Sequence, residues 1–508
     1  MGPAVIRTRR PAGVTNGVGM DIAVARANET PATRVPVPTL TRLAYGFGSV
    51  APGIREGGFN YFLLLFYSQV IGVDARLVGL AITLGLIIDA LLDTGIGYWS
   101  DNLHSRWGRR HPPMYAAALP FAVGFFMLWV PPVGWSNAAL FWYILLLGIG
   151  VRFVASLFEI PHAALAAEMS DDYVERSSLV AYQYYFGWTL GTLMTVLTFG
   201  LIFPAFVTAS IPNGQFNRDA YHVYGLVGAV MIFAAVLIGT AGTHSQIPRL
   251  KPAPPKRVMT LRRIVGEILE TLGNRSFLAL FIAAAFGAVA TGVATALSFY
   301  MSAYFWGFSS GQQALISLSV LVSAIIGGVL APLASRTIGK RRGAFITGFA
   351  AFLGAPVPII LRLVGLMPAG NGNDVFALVL GFTMIDVGLI IGFQILTASM
   401  MADLVEPAEL KTGRRSEGLF SASTRLLGKL VQGLGVTIAS FVLTFAGIKA
   451  GATPGTVPPD AVWRLGALYA PVVLSLWMAM MLALTFYKID RADHEDNLRQ
   501  LAARKAAA

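Results

Sequence analysis

The chain has 508 residues, 55% of them hydrophobic and only 13% charged, with no cysteine and a mean hydropathy of +0.65. Soluble domains carry about 25% charged residues, so the composition excludes a chain of ordinary soluble domains. The missing cysteines exclude a disulfide scaffold, a zinc–thiolate site and an iron–sulfur protein. A formal charge of +12 then reads as basic loops on one side of a bilayer, with no nucleic-acid partner.

Residues 1–40 are polar, dotted with Arg7, Arg9, Arg10, Arg26 and Arg34, and lack the apolar stretch of a signal peptide. They are expected to form a disordered cytoplasmic tail. Apolar stretches long enough to cross a bilayer then recur: 43–71, 75–100, 112–131, 138–167, 178–206 and 221–241, followed by 277–306, 311–334, 342–364, 374–401, 417–447 and 462–487. These predict an all-α membrane protein with two bundles of six spans, 41–241 and 277–487. A Pro- and Lys/Arg-rich linker, 242–276, joins them, and a cytoplasmic tail, 488–508, follows. Residues 259–272 of the linker read as an amphipathic surface helix.

Bases concentrate in alternate turns. Arg106, Arg109 and Arg110 follow span 2, Arg336, Lys340, Arg341 and Arg342 follow span 8, and Lys411, Arg414 and Arg415 follow span 10. The intervening turns hold few, so both termini are expected in the cytoplasm and the chain in the inner membrane. The two bundles repeat one another. SRWGRRHPPM after span 2 is echoed by SRTIGKRRGAF after span 8, with Gly108 and Gly339 in matching places, and AEMSDDYVERSSL by ADLVEPAELKTGRRSEGL. Such parallel repeats belong to transporters whose site lies at the midplane between the halves.

Ionisable groups within spans cost about 2.5–3.5 kcal/mol each on insertion scales and call for a reason. Span 2 holds Asp89 and Asp93, four apart and so on one helix face. Two such carboxylates repel unless a proton or a cation sits between them, which makes them a site for Na⁺ or H⁺, or else each pairs with a base from a neighbouring helix. The repeat fold does not require them, since span 8 has no acidic residue. Span 4 places Arg152, Ser156 and Glu159 on one face, with Ser156 offering a hydroxyl to the cation and Glu159 accepting hydrogen bonds from a polyol. Span 11 carries Thr424, Arg425 and Lys429; the two cations either bridge the halves or bind an anionic substrate group, and Arg425 alternatively snorkels. Arg55, Glu56 and Asp386 complete a set of nine groups in which acids outnumber bases by one, an imbalance that one cation or proton neutralises.

The run Asp101–Arg110, with Asp101, Arg106, Arg109 and Arg110, reads as a gate whose charges bond a neighbouring helix end in one conformation and release it in another. Trp142, Trp188 and Tyr184 either stack on a sugar ring or only pack and anchor. No G-x-x-x-x-G-K-[ST] stretch points to ATP, and the six histidines have no metal-site spacing. No cofactor is expected beyond a coupling ion.

DALLDTGIGYWSDNLHSRWGRRHPPM (89–114), YGFGS (45–49), FEIPHAALAAEM (158–169) and ADLVEPAELKTGRRSEGLF (402–420) resemble the glycoside–pentoside–hexuronide:cation symporters. This group of the major facilitator superfamily includes the melibiose permease, and the resemblance covers all twelve spans. It implies the twelve-helix fold of that superfamily and cation-coupled symport of a sugar, glycoside or uronide. It places Asp89 and Asp93 on the family's cation-site carboxylates and Ser156 on a helix 4 hydroxyl that joins them. Glu159 falls on a sugar-binding acid and Lys429 on a lysine near both sites; Arg152, Thr424 and Tyr184 are taken as further substrate contacts. Leu92 stands where the melibiose permease has an asparagine, which weakens Na⁺ coordination and favours H⁺. Gly53 and Tyr184 replace its helix 1 aspartate and helix 5 arginine, so its galactoside contacts are not kept. A lysophosphatidylcholine symporter belongs to the same extended family, making symport or flipping of a lysolipid or other amphiphile the alternative. The expected partners are a small-molecule substrate and membrane lipid, with the chain a monomer.

Overall fold

The computed structural model describes residues 36–170, 172–250, 275–354, 356–368, 371–402, 417–487 and 499–500; the side chains of 173, 275, 276, 353, 402 and 417–427 lie outside that description. The expected linker helix at 259–272 and nearly all of both tails fall outside it too.

Twelve spans are present among the described residues, each where hydropathy placed one, with no strand. In the first half they are α1 (39–70, beginning Thr39–Gly48 and Val50–Gly57), α2 (Ala75–Asp101), α3 (His111–Leu128), α4 (Asn137–Met169), α5 (Tyr173–Leu197) and α6 (Arg218–His244). In the second half they are α7 (Arg275–Tyr300), α8 (Ser310–Thr337), α9 (Lys340–Gly354 with Val357–Leu363), α10 (Asn373–Ala402), α11 (Glu417–Ala446) and α12 (Pro459–Thr485). Among the described residues, ten helices are long and apolar enough to cross a membrane by length and composition, and the chain is a multi-pass membrane protein.

Local chemistry sets the helix starts. The Asp74 carboxylate accepts from the Arg76 amide at 2.8 Å and opens α2, Asp172 accepts from the Glu175 amide at 2.8 Å ahead of α5, and Ser309 with Gln312 forms a capping box on α8. Each satisfies an amide that has no intrahelical partner. The repeat is visible in backbone geometry. Gly108 and Gly339, matched in sequence, both take left-handed φ, +70° and +84°, in the turns after α2 and α8, a conformation that disfavours a side chain. The first helix of each half also ends the same way, α1 in π-helical turns at Gly58–Phe62 and Phe66–Val70 and α7 in one at Met301–Trp306; π-turns often mark functional stretches.

Helices pack closely where small residues meet. A Cβ on Gly53 of α1 would lie 2.3 Å from the Gly187 carbonyl oxygen of α5, and one on Gly292 of α7 2.5 Å from the Gln432 carbonyl oxygen of α11. Without a strong hydrophobic force between helices in lipid, such backbone approach supplies the van der Waals contact that holds them.

The halves are tied at one end, the end of loops α1–α2, α5–α6, α7–α8 and α11–α12. There the Gly451 amide donates to the Ser68 carbonyl at 2.9 Å, Ser310 bonds Asn213 at 3.2 Å, and the Tyr300 hydroxyl donates to the Leu64 carbonyl at 3.4 Å. The Phe62 and Phe299 rings meet in a tilted contact across the same boundary with centroids 4.8 Å apart. One level inward, the Thr83 hydroxyl of α2 donates to the Gly433 carbonyl of α11 at 2.6 Å and lies 2.8 Å from the Thr437 hydroxyl. Helices α2 and α11 thus run antiparallel along the seam, and the next level carries the charged groups.

Candidate functional site

Two carboxylates on α2 and one ammonium on α11 meet at the seam. Lys429 Nζ donates to Asp89 Oδ2 at 3.0 Å and also to Asp93 Oδ2. One ammonium therefore occupies the position between the two acids where a cation would otherwise be required. The helical spacing of four residues aims both carboxylates at the same neighbour, and the antiparallel packing of α11 supplies the lysine.

The two acids differ in surroundings. Asp89 is fully enclosed, with Arg152 of α4 3.5 Å from the oxygen that Lys429 holds. Its other oxygen has no partner among the described residues. Asp93 is one-quarter exposed, and its Oδ1 accepts a 2.5 Å bond from the Ser156 hydroxyl. The buried acid is locked between two cations; the exposed one can trade its partner.

A second pair lies on the α1–α4 side. Arg55 reaches Glu159 through two parallel bonds, Nε–Oε1 at 3.0 Å and an Nη2–Oε2 contact at 3.1 Å, the bidentate geometry that suits guanidinium and carboxylate. Glu56 lies 3.7 Å from the same guanidinium and is 65% exposed. One turn further along α1, the Phe59 ring lies 4.5 Å under the Arg152 guanidinium, a cation–π contact that fixes the arginine facing Asp89.

Of the residues singled out from sequence, Asp89, Asp93, Ser156, Arg152 and Lys429 come together, and Lys429 takes the bridging role rather than standing free as an anion receptor. Glu159 is engaged by Arg55. Arg152, expected among the substrate contacts, is instead buried and committed to Asp89 and Phe59. Tyr184 is well exposed on α5, and no described hydrogen bond or ion pair joins it to the charged groups. The side chains of Thr424 and Arg425 fall outside the described residues. Asp386 of α10 stands apart, with Oδ1 lacking a partner among the described residues. Sequence reading did not assign a partner to Arg55; its place inside a span, where a charge calls for a partner, was the available signal.

The gate residues form a cluster at the opposite end. Arg110 pairs with Asp101 at 2.6 Å, and both Arg110 and Arg109 donate to one oxygen of Glu168 at 2.7 and 2.8 Å. Arg110 also donates to Ser100 Oγ at 3.0 Å. Arg106 does not join them and lies over the Trp107 ring. Glu168, the hub, was missed: at the end of α4 it reads as a solvated loop charge, yet it is buried. All four charged members belong to the first half.

Comparison with known proteins bears on the family and the fold. Residues 44–491 match the family described as MFS/sugar transport protein. The chain is 24% identical to a glucuronide carrier protein homolog of Escherichia coli, over 92% of this chain and 96% of that protein. It is 23% identical to an isoprimeverose transporter of Lactiplantibacillus pentosus, over 90% of each. Among solved structures it resembles the nucleoside transporter NupG with a TM-score of 0.60 at 14% identity, covering 87% of this chain and all of that one, a likeness of fold. Twelve spans in two repeated halves, charged groups at their seam and a family match over nearly the whole length converge: the chain belongs to the MFS/sugar transport family, the glycoside–pentoside–hexuronide symporters of the major facilitator superfamily.

Proposed function

We propose that this protein moves a sugar or glycoside across the inner membrane together with a cation, by alternating access, with both termini in the cytoplasm. The observation that carries the reading is the Lys429 bridge from α11 to Asp89 and Asp93 on α2. It is an ion pair across the seam that must open when the halves separate, and it is formed by the two groups a coupling cation would compete for.

The coupling ion is a proton, and Asp93 receives it. Neutralising Asp93 removes one of the two attractions that hold Lys429, while Asp89 stays charged between Lys429 and Arg152. The bridge is then weakened, not abolished, and α2 and α11 can part at the midplane. Ser156 keeps the Asp93 carboxyl oriented through this step, because its hydroxyl remains a donor to the carbonyl oxygen of the protonated acid. Leu92, beside Asp93, offers no oxygen to complete a Na⁺ shell, which takes several oxygen donors. With the basic loops on the cytoplasmic side, the bonds through Ser68, Leu64 and Thr83 close the outer end, and the conformation is inward-facing. Glu159, about one-fifth exposed, supplies its outer lone pairs as acceptors for substrate hydroxyls beside the bridge.

The test is transport in proteoliposomes. Asp93→Asn is expected to abolish gradient-driven accumulation while retaining sugar exchange at equal concentrations on both sides. Accumulation at the wild-type level in that variant overturns the cation-site assignment. Accumulation driven by a Na⁺ gradient with no proton gradient overturns the choice of ion.

A further inference from the structure

The charges at the seam are unequally committed, and this decides which sugars the site can take. Every base with a described side chain is occupied. Arg55 is bidentate on Glu159 and 6% exposed, Arg152 is buried against Asp89, and Lys429 holds both α2 acids. Among the acids, Asp89, Asp93 and Glu159 each face a close cation. Glu56 differs: its carboxylate has only a 3.7 Å contact with an arginine whose better bonds go to Glu159, and it is 65% exposed. It lies midway along a spanning helix, where a charge facing lipid is strongly disfavoured and one facing a water-filled cavity is tolerated. Its distance from the guanidinium that holds Glu159 puts it at the same site. Counting Glu56, Asp89, Asp93 and Glu159 against Arg55, Arg152 and Lys429, the described site carries one net negative charge, and Glu56 is the group that presents it.

We infer that Glu56 is the charge-selecting residue of this site, accepting hydrogen bonds from a neutral polyol or from the ammonium of an amino sugar and rejecting uronates. The inference rests on the transporter reading above and narrows its substrate class. A carboxylate substrate would find no uncommitted described base. To be held by a described base, it would have to displace Glu159 from Arg55 or an acid from Lys429, leaving an acid of the site unpaired, while meeting Glu56 as a like charge. A neutral sugar needs only hydroxyl donors aimed at Glu56 and the outer lone pairs of Glu159.

The experiment uses the full-length protein in proteoliposomes and compares uptake of matched sugars: neutral hexosides and pentosides, the corresponding hexuronides, and hexosamines. For the wild type, uptake of the neutral or amino member is expected to exceed that of its uronide by about tenfold or more. Glu56→Gln should cut that ratio severalfold and lower amino-sugar uptake most, whereas Glu56→Asp should keep the preference. Glu159→Gln, which frees Arg55, should move the preference toward the uronide. Uptake favouring uronides in the wild type, or a ratio unmoved by Glu56→Gln, overturns the inference and leaves the transporter reading standing. Uptake of no sugar by the wild type overturns both.

Discussion

Lys429 of α11 donates to Asp89 of α2 at 3.0 Å, and the same ammonium holds Asp93 one helical turn away. This one side chain ties both α2 acids to α11. Lys429→Gln removes the bridging charge and leaves Asp93 without an ion pair among the described residues, while Arg152 still faces Asp89. Gradient-driven accumulation is expected to fall within the 5- to 150-fold range of ordinary coupling energies, with sugar exchange less affected. Parallel accumulation and counterflow assays check this.

The Arg55–Glu159 pair is enclosed and bidentate, and removing one member strands the other. Breaking a fully buried pair costs about 3–5 kcal/mol. Glu159 is about one-fifth exposed, which places Arg55→Gln and Glu159→Gln at or below the bottom of that range. The double variant Arg55→Gln/Glu159→Gln should be less destabilised than the two single losses added together, with a coupling of about 0.5–3 kcal/mol. Thermal unfolding of the four proteins in one detergent measures it.

Thr83 ties α2 to α11 through the Gly433 carbonyl at 2.6 Å. Thr83→Val keeps the shape and removes the bond, worth about 1 kcal/mol, which is roughly a fivefold change in a two-state equilibrium. The halves should part more often at the Ser68 end. Since the chain has no cysteine, single cysteines introduced near Ser68 and near Arg109 report on the two ends without background. Thiol labelling in Thr83→Val should rise at the first position and fall at the second.

Glu168 receives both Arg109 and Arg110 on one oxygen. Glu168→Gln leaves an acceptor of the same shape without the charge, and of the two arginines only Arg110 keeps an acidic partner in this cluster, Asp101. A destabilisation of about 3 kcal/mol is expected, at the low end for a broken buried pair, with Glu168→Asp losing less. The melting temperature in detergent reads both.

Much of this architecture is legible in the sequence because a bilayer leaves few alternatives. An apolar run of sufficient length must be a helix, and a charge inside one must have a partner or a task, which is why Asp89, Asp93, Ser156 and Lys429 stand out before any coordinates. Partner identity is harder to read, because it depends on how helices rotate about their axes when they pack. Glu159 has the composition of a sugar ligand and the position of an Arg55 partner. Glu168 is charged and terminal, like a loop residue, yet lies under two arginines. Arg152 sits on the same face as Ser156 and still points into Asp89 and the Phe59 ring. The π-turns of α1 and α7 have no hydropathy signature, since one extra residue per turn leaves the average unchanged.

The bond from the Gly451 amide to the Ser68 carbonyl joins main chain to main chain. The bond itself uses no side-chain atom, although Ser68 is fully buried and its own hydroxyl bonds the Gln69 side chain at 3.2 Å. Residue 451 is different, because its φ of +75° is strained for anything but glycine. The strength with which the two halves hold at that end is therefore adjustable at this position as well as through the side-chain ties, and a lineage that exchanged this glycine would change how long the transporter stays open to one side without touching any group that meets sugar or ion.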